Sequence, residues 1–522
     1  MESSSGGELL LPRPGPSSFI SKRGDGRGGW RAAIFIVAVG LFERIGFVGV
    51  SANLIMYLTG PLAMSTAAAA AGVNAWSGTV QVLPLVGALV ADSRLGRYRA
   101  LLTAGVLYLL SLGMLTASSM LQTASSPPSA SASPARLAFF YAALYLLALA
   151  QGFYGPCGEA FGADQFAPAD GEPRAPAFRS SYFNWFHFSI SWGYAIASAG
   201  MSYVQDNAGW TVGFGACWAA MVVYLAVFLL GTPTYRAKQP ADGGPFAETV
   251  RSWAAKIFRR KDITRTERLL AEQPEDRGIV AKLLPIWLTS LVFAAIFSQV
   301  STLFTKQAST LDRRLGTATG LVVPPAALQC LSNITFIVML PLYDRIVVPL
   351  ARRLTGHAAG VTMLQRIGAA MATACAAMAV AALVESRRLG VARDAGLVDR
   401  PDVAVPMSLW WMIPQYVLIG LAGVLGQVGF EEFFYDQVPD DLRSVGLALC
   451  LSIFGVGNYA SSMLVSVIDW ATRSKRESWF SDNLNRAHLD YFYWLLAGLA
   501  ALEVIAFLHF ANRYIYRNKG EL

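Results

Sequence analysis

The sequence predicts an all-α membrane protein of twelve transmembrane helices in two six-helix bundles, and three observations carry that expectation. Of the 522 residues, 54% are apolar and only 15% charged, with a mean hydropathy of +0.43, whereas a soluble domain usually carries about 25% charged residues. Twelve stretches offer the roughly 20 mostly apolar residues that a helix needs to cross about 30 Å of hydrocarbon. Those stretches divide six and six about a basic segment at 232–280. The same composition excludes a disordered chain and a disulfide scaffold, since five cysteines cannot staple a chain of this length. A net charge of +8 could suggest a nucleic-acid partner, but the Lys and Arg residues cluster in short segments between apolar runs, the pattern that sets membrane topology.

The first thirty residues, with Pro12, Pro14, Pro16 and glycines from Gly24 to Gly29, read as a disordered cytoplasmic tail, without the short apolar core of a secretory signal before Trp30. The first bundle, 31–231, holds expected spans at 31–59, 72–91, 98–121, 135–160, 181–204 and 210–231. The second, 281–513, holds spans at 281–304, 321–342, 362–384, 408–435, 443–469 and 489–512, followed by a cytoplasmic tail at 514–522. Arg94, Arg97 and Arg99 follow span two and Arg174 and Arg179 follow span four, while loops 60–71, 122–134 and 205–209 contain no Lys or Arg. Both termini are therefore expected in the cytoplasm. The ten basic residues of the 232–280 linker agree, and Val250, Trp253, Ala254 and Ile257 give part of it the spacing of an interfacial amphipathic helix. Against the scheme, Arg387, Arg388, Arg393 and Arg400 fall in a loop expected outside. Six spans, a basic linker and six more spans suit a transporter whose halves rock about a midplane site.

Several motifs then carry a resemblance. Gly87, Asp92, Gly96 and Arg97 in the loop after span two place small residues where helix ends approach and an acid and a base where they can pair; the pattern resembles the signature of the major facilitator superfamily. Arg27-Gly28-Gly29-Trp30, Phe161-Gly162-Ala163-Asp164-Gln165-Phe166, Leu284-Pro285-Ile286-Trp287, Leu364-Gln365-Arg366-Ile367-Gly368, Glu432-Phe433-Phe434-Tyr435 and the run from Asn483 to Trp494 make the chain similar to the plant nitrate/peptide transporter family, the plant branch of the proton-dependent oligopeptide transporters. The resemblance spans residues 27 to 515. It implies the major facilitator fold, a small-molecule substrate and no enzymatic activity.

Ionisable residues at membrane depth are functional candidates by default. Span one carries Glu43-Arg44, adjacent residues that point about 100° apart and need not pair with each other. The resemblance links this segment to proton coupling, but the family's first glutamate is replaced here by Gly40. The family's lysine in span four is replaced by Gly155, and the acid of span ten, linked in peptide carriers to the substrate's amino group, by Gly423. The histidine of the best-known nitrate carriers is replaced by Phe297, ahead of Ser298 and Gln299. Losing Gly40 and Gly155 together is consistent, because removing one partner of a buried pair strands a charge.

Glu159, one turn after Gly155, reads either as a replacement partner for Arg44 or relocated proton site, or as a carboxylate near the cytoplasmic mouth orienting Arg179. His187 reads either as a titrating group or as a packed core histidine. Glu431 is expected to face water, and Glu503 to snorkel or pair. His357, His488 and His509 are too scattered for a metal site, the five cysteines read as free thiols, and the sequon at Asn333 lies inside span eight. No metal or cofactor is expected. The partners expected are a small solute, protons as a candidate co-substrate, and the lipid bilayer, with no nucleic acid. The function expected is alternating-access transport of nitrate or another anionic metabolite or hormone, with weak or altered proton coupling, in the plasma or vacuolar membrane. A proton-coupled symporter of nitrate or peptides and a non-transporting sensor are the alternatives. A membrane enzyme would need a catalytic constellation that the sequence does not display.

Overall fold

The computed structural model describes residues 28–91, 95–125, 133–166, 175–236, 282–315, 322–347, 349–350, 353, 361–438, 443–473 and 478–514. The amino-terminal tail, Asp92, the 237–281 part of the linker with its expected amphipathic helix, and His357 lie outside these residues. Ten described helices are long and apolar enough to cross a membrane: Trp30–Thr59, Thr66–Val90, Gly96–Leu121, Pro134–Asp164, Trp210–Thr234, Pro325–Val347, Met363–Asp394, Leu409–Asp436, Ala448–Arg473 and Leu489–Ala511. Two expected spans differ in kind. Span five runs from Ala175 to Ala208 through a π-helical stretch, Ile196–Met201. Span seven is broken: after a helical piece from residue 282 to 288, Leu291–Phe297 and Leu303–Ser309 are separate short helices. Its serines and threonines explain the breaks, since their hydroxyls bond to nearby carbonyls and offer the backbone an alternative to the helical ladder; Ser290 Oγ donates to the Ile286 carbonyl at 2.7 Å and Thr302 Oγ1 to the Ser298 carbonyl at 2.8 Å.

Span nine extends ten residues further than expected, to Asp394, and takes in Arg393 as well as Arg387 and Arg388, while Arg400 stays in the loop that follows. Arg387 and Arg388 belong to a helix, not a loop. Arg387 stacks on Trp411 with its guanidinium carbon 4.3 Å from the ring centroid, and Arg388 is wholly buried against Glu385. The described chain is almost entirely helical; a short parallel strand pair, Leu311–Asp312 with Val405–Ser408, joins two loops of the second half.

Helices of each half pack on one another through small residues, as they must where lipid supplies no hydrophobic drive for association. A Cβ at Gly46 would lie 2.6 Å from Met221, and one at Gly49 would lie 2.6 Å from the Cys217 sulfur, so these glycines are sites of close approach between spans one and six. A Cβ at Gly87 would overlap the Gly152 carbonyl, which seats span two directly on span four. Large apolar side chains such as Leu230, Ile505 and Trp470 point outward, as a lipid-facing surface requires.

The two halves are bonded to each other at the end that the Lys/Arg pattern places outside. Lys306 Nζ donates to Thr59 Oγ1 at 3.0 Å, the Thr66 amide to Asp482 at 2.8 Å, Gln329 Nε2 to the Ala52 carbonyl at 2.8 Å, and Arg313 pairs with Asp206 at 3.2 Å. Asn74 Nδ2, Ser298 Oγ and Gln299 Nε2 converge on Ser461 Oγ at 2.8–3.0 Å. At the inner end the described ion pairs stay within a half: Arg97 with Asp164 at 2.5 Å and Arg366 with Glu432 at 3.8 Å. Among the described residues, the bonds between the halves thus lie at the expected outer end and at mid-depth.

Candidate functional site

Span one delivers Glu43 and Arg44 to the middle of the first bundle. Gly193 of span five lets that helix press on the Arg44 stem, for a Cβ at position 193 would stand only 2.5 Å from Arg44 Cβ. Glu43 is fully buried, and Arg44 keeps 12% of its side chain exposed. Contrary to the expectation from their 100° separation, the two side chains pair: Arg44 Nε lies 2.6 Å from Glu43 Oε2. The long guanidinium stem curls back where two shorter chains could not meet.

The rest of the shell carries no signal in the sequence. Tyr108 Oη donates to Glu43 Oε1 at 2.7 Å. With the Gln151 amide oriented to satisfy its neighbours, its nitrogen donates to Glu43 Oε1 at 2.7 Å and its oxygen accepts from Arg44 Nη2 at 2.9 Å. Tyr194 Oη accepts from Arg44 Nη1 at 3.2 Å, and the rings of Phe47, Tyr154 and Tyr194 lie 5.6–6.0 Å from the guanidinium carbon, within cation–π range. Tyrosine and glutamine in apolar runs are common packing residues, so only their approach to the ion pair distinguishes them.

The replaced family positions have three different surroundings. A Cβ at Gly40 would stand 2.9 Å from the Phe186 ring, so an aromatic side chain of span five fills the space of the first glutamate. At Gly155 the nearest atoms are Pro84 Cβ and Cγ at 3.5 Å, ordinary contact at an exposed position. At Gly423 a Cβ would meet the rings of Phe297 and Phe336 at 3.5 and 3.6 Å. Two departures thus coincide: Phe297, standing for the histidine, packs over Gly423, standing for the acid. Phe293 and Phe454 extend this aromatic patch, with centroids 4.8 and 6.3 Å from that of Phe297. This patch of the second bundle is aromatic and carries no countercharge at position 423.

Gln299 lies apart, wholly buried in the Ser461 junction among spans two, seven and eleven. Glu159 does not join Arg44; its carboxylate pairs with His187 Nε2 at 3.2 Å. Nor is His187 a core residue, since 64% of its side chain is exposed. The Arg179 side chain lies outside the described residues. Glu503 neither snorkels nor finds a cation among the described residues: buried at 6% exposure, it accepts the Phe293 amide at 2.9 Å, one of the backbone donors freed by the break in span seven. In the loop motif, Arg97 takes Asp164 as its partner. The five cysteines form no disulfide.

Comparison with known proteins agrees with this architecture. The sequence matches the family described as POT family over residues 98–276 and 261–480. It is 46% identical to Protein NRT1/ PTR FAMILY 5.10 of Arabidopsis thaliana, covering 94% of this chain and 93% of the relative, and 43% identical to Protein NRT1/ PTR FAMILY 5.16 of the same plant, covering 95% and 94%. Among solved structures, the POT family transporter PepTSo superposes with a TM-score of 0.73 at 22% identity over 93% of this chain and 98% of that one. A POT family transporter in complex with 5-aminolevulinic acid superposes with a TM-score of 0.68 at 15% identity over 92% and 96%.

Proposed function

We propose that this chain, which belongs to the POT family and is a multi-pass membrane transporter of small solutes rather than an enzyme, carries a small anion, and that Glu43 and Arg44 couple the anion to a proton. The observation that carries this reading is the isolation of the pair. With Gly40, Gly155 and Gly423 at the other charged positions of the family, Glu43 and Arg44 are, of those family positions, the two that keep their charge, and together they sum to zero. Protonating Glu43 releases Arg44 and leaves the site with one positive charge, which an anion then neutralises. An ammonium group would find no countercharge beside Gly423 and would stay desolvated and unpaired. Nitrate and carboxylate-bearing metabolites or hormones both satisfy this electrostatic requirement. The aromatic face of Phe297 suits an apolar body behind a carboxylate.

Coupling in this scheme is altered rather than duplicated, because one carboxylate does what the family resemblance assigns to two. The membrane is the plasma or vacuolar membrane. The experiment is uptake of nitrate, of a carboxylate hormone and of a dipeptide by a transport-deficient cell expressing the chain. Anion uptake lost in Arg44→Ala supports the reading, and robust dipeptide uptake refutes it. Locating a fluorescent fusion identifies the membrane. Flux of unaltered substrate also separates a carrier from a sensor that only binds.

A further inference from the structure

The end expected to face the cytoplasm holds a second set of titratable side chains that the central pair does not use. Glu159 follows Gly155 by four residues on span four, and Glu431 follows Gly423 by eight on span ten, spacings that keep each acid on the face of the replaced position. His187 of span five is 3.2 Å from Glu159. Glu431 faces both from the other bundle, near enough for its charge to act on each, and it accepts a long hydrogen bond from Gln427 Nε2, at 3.4 Å.

The charged groups around this set are already engaged. Arg97 is held by Asp164, and Arg366 by Glu432 and by the Tyr343 ring at 4.3 Å. Tyr182 reaches only the Glu159 backbone, donating to its carbonyl at 3.3 Å. Cys450 of span eleven lies within electrostatic reach of Glu431. Among the described residues, His187 is therefore the group available to place positive charge between the two acids.

Rocking the bundles shut at the inner end brings span ten toward spans four and five. A neutral imidazole would leave two carboxylates approaching each other as water departs, which is unfavourable. An imidazolium would lie between them and attract both. We propose that Glu159, His187 and Glu431 form a cytosolic proton site, completed only on inner closure, in which a proton taken up by the His187 imidazole bridges the two bundles. Cytosolic acidification then favours the outward-facing state. The site opens to the cytosol alone, so this proton sets the conformational equilibrium without crossing the membrane. The inference rests on alternating access between the bundles and is independent of which anion is carried.

The test needs no substrate. The full chain, with its five cysteines replaced by alanine, is reconstituted in lipid nanodiscs with spin labels at Phe178 of span five and Tyr435 of span ten, and the distance distribution across the inner opening is measured at about pH 5.5 and about pH 7.5, on either side of the ordinary histidine range. One proton taken up per closure allows the closed-to-open ratio to change by up to about tenfold per pH unit, and an acid shift of about tenfold overall is expected. His187→Arg, which fixes the cation, should give the acid-like distribution at both pH values, an outcome that simple packing of the ring would not produce. His187→Phe and Glu431→Gln should each remove the pH response. A flat profile in the unsubstituted chain, or an unchanged response in the last two variants, overturns the proposal while leaving the anion reading of the central pair untouched.

Discussion

Arg44 and Arg388 are both guanidinium groups beside a glutamate inside a helix bundle, yet their surroundings give them opposite tasks. Arg388 lies three residues after Glu385, close to one helical turn, so its fork meets the carboxylate edge on: Nε to Oε2 at 2.8 Å and Nη2 to Oε1 at 2.6 Å. Asn485 and the Leu484 carbonyl take further donors at 2.8 and 2.7 Å, and neither side chain of the pair is exposed. Such a pair is saturated, and it anchors the loop before span twelve to the end of span nine. Arg44 follows Glu43 directly, a spacing that permits one contact to the carboxylate, and its remaining donors rest on Tyr194, Gln151 and aromatic faces. Those neighbours can be exchanged for a substrate oxygen. The difference teaches that burial and pairing do not identify a working ion pair; unsatisfied or exchangeable donors do.

The largest expected effect breaks the saturated pair. Arg388→Ala strands Glu385 and should destabilise the protein by about 3 to 5 kcal/mol, read as a large fall in the detergent melting temperature and in yield. Replacing both partners with Glu385→Leu and Arg388→Met should restore most of that loss, and failure of the double variant to recover would show that the pair has a role beyond anchoring.

Arg44→Ala also strands a buried glutamate, but Glu43 keeps Tyr108 and Gln151 as donors, so the variant should lose less stability than Arg388→Ala while initial uptake of the transported anion falls about a hundredfold, the equivalent of losing a charge-assisted contact of about 3 kcal/mol. A smaller fall in melting temperature than in Arg388→Ala would sharpen the contrast; equal uptake to the parent would remove it. Glu43→Gln should act on coupling rather than binding, because the amide cannot exchange a proton. Uptake should become independent of external pH, and accumulation against a gradient should cease, as followed with and without an uncoupler. Continued proton-driven accumulation in that variant would relocate coupling to another carboxylate.

The smallest effect is expected at Gly155, where an added Cβ would make only ordinary contacts. Gly155→Ala should raise helix stability by about 0.5 to 1 kcal/mol with unchanged uptake. Gly46→Ala, whose Cβ would meet Met221, should lower the melting temperature.

Much of this molecule was legible in the linear chain because a bilayer imposes a severe rule: every backbone polar group must be satisfied within a helix or a closed sheet, so length and apolarity alone mark the spans. The positions of Glu43 and Arg44 could be read for the same reason, since charge at depth is rare enough to stand out, whereas the three substituting glycines were legible only through the family resemblance. Partner choice was not legible. That Arg44 bonds its own neighbour, that Glu159 turns to His187, that Phe297 covers Gly423 and that Arg388 belongs inside a helix all depend on rotamers and on which helix faces which. Tyr108, Gln151, Tyr154 and Tyr194 are ordinary residues until four helices bring them around one guanidinium. The sequence by itself determined the class of protein and the inventory of charges, because both follow from the cost of polar groups in hydrocarbon. The tertiary structure alone decided which of those charges are spent on holding the fold and which remain free to exchange partners, because that depends on contacts between residues up to 416 positions apart.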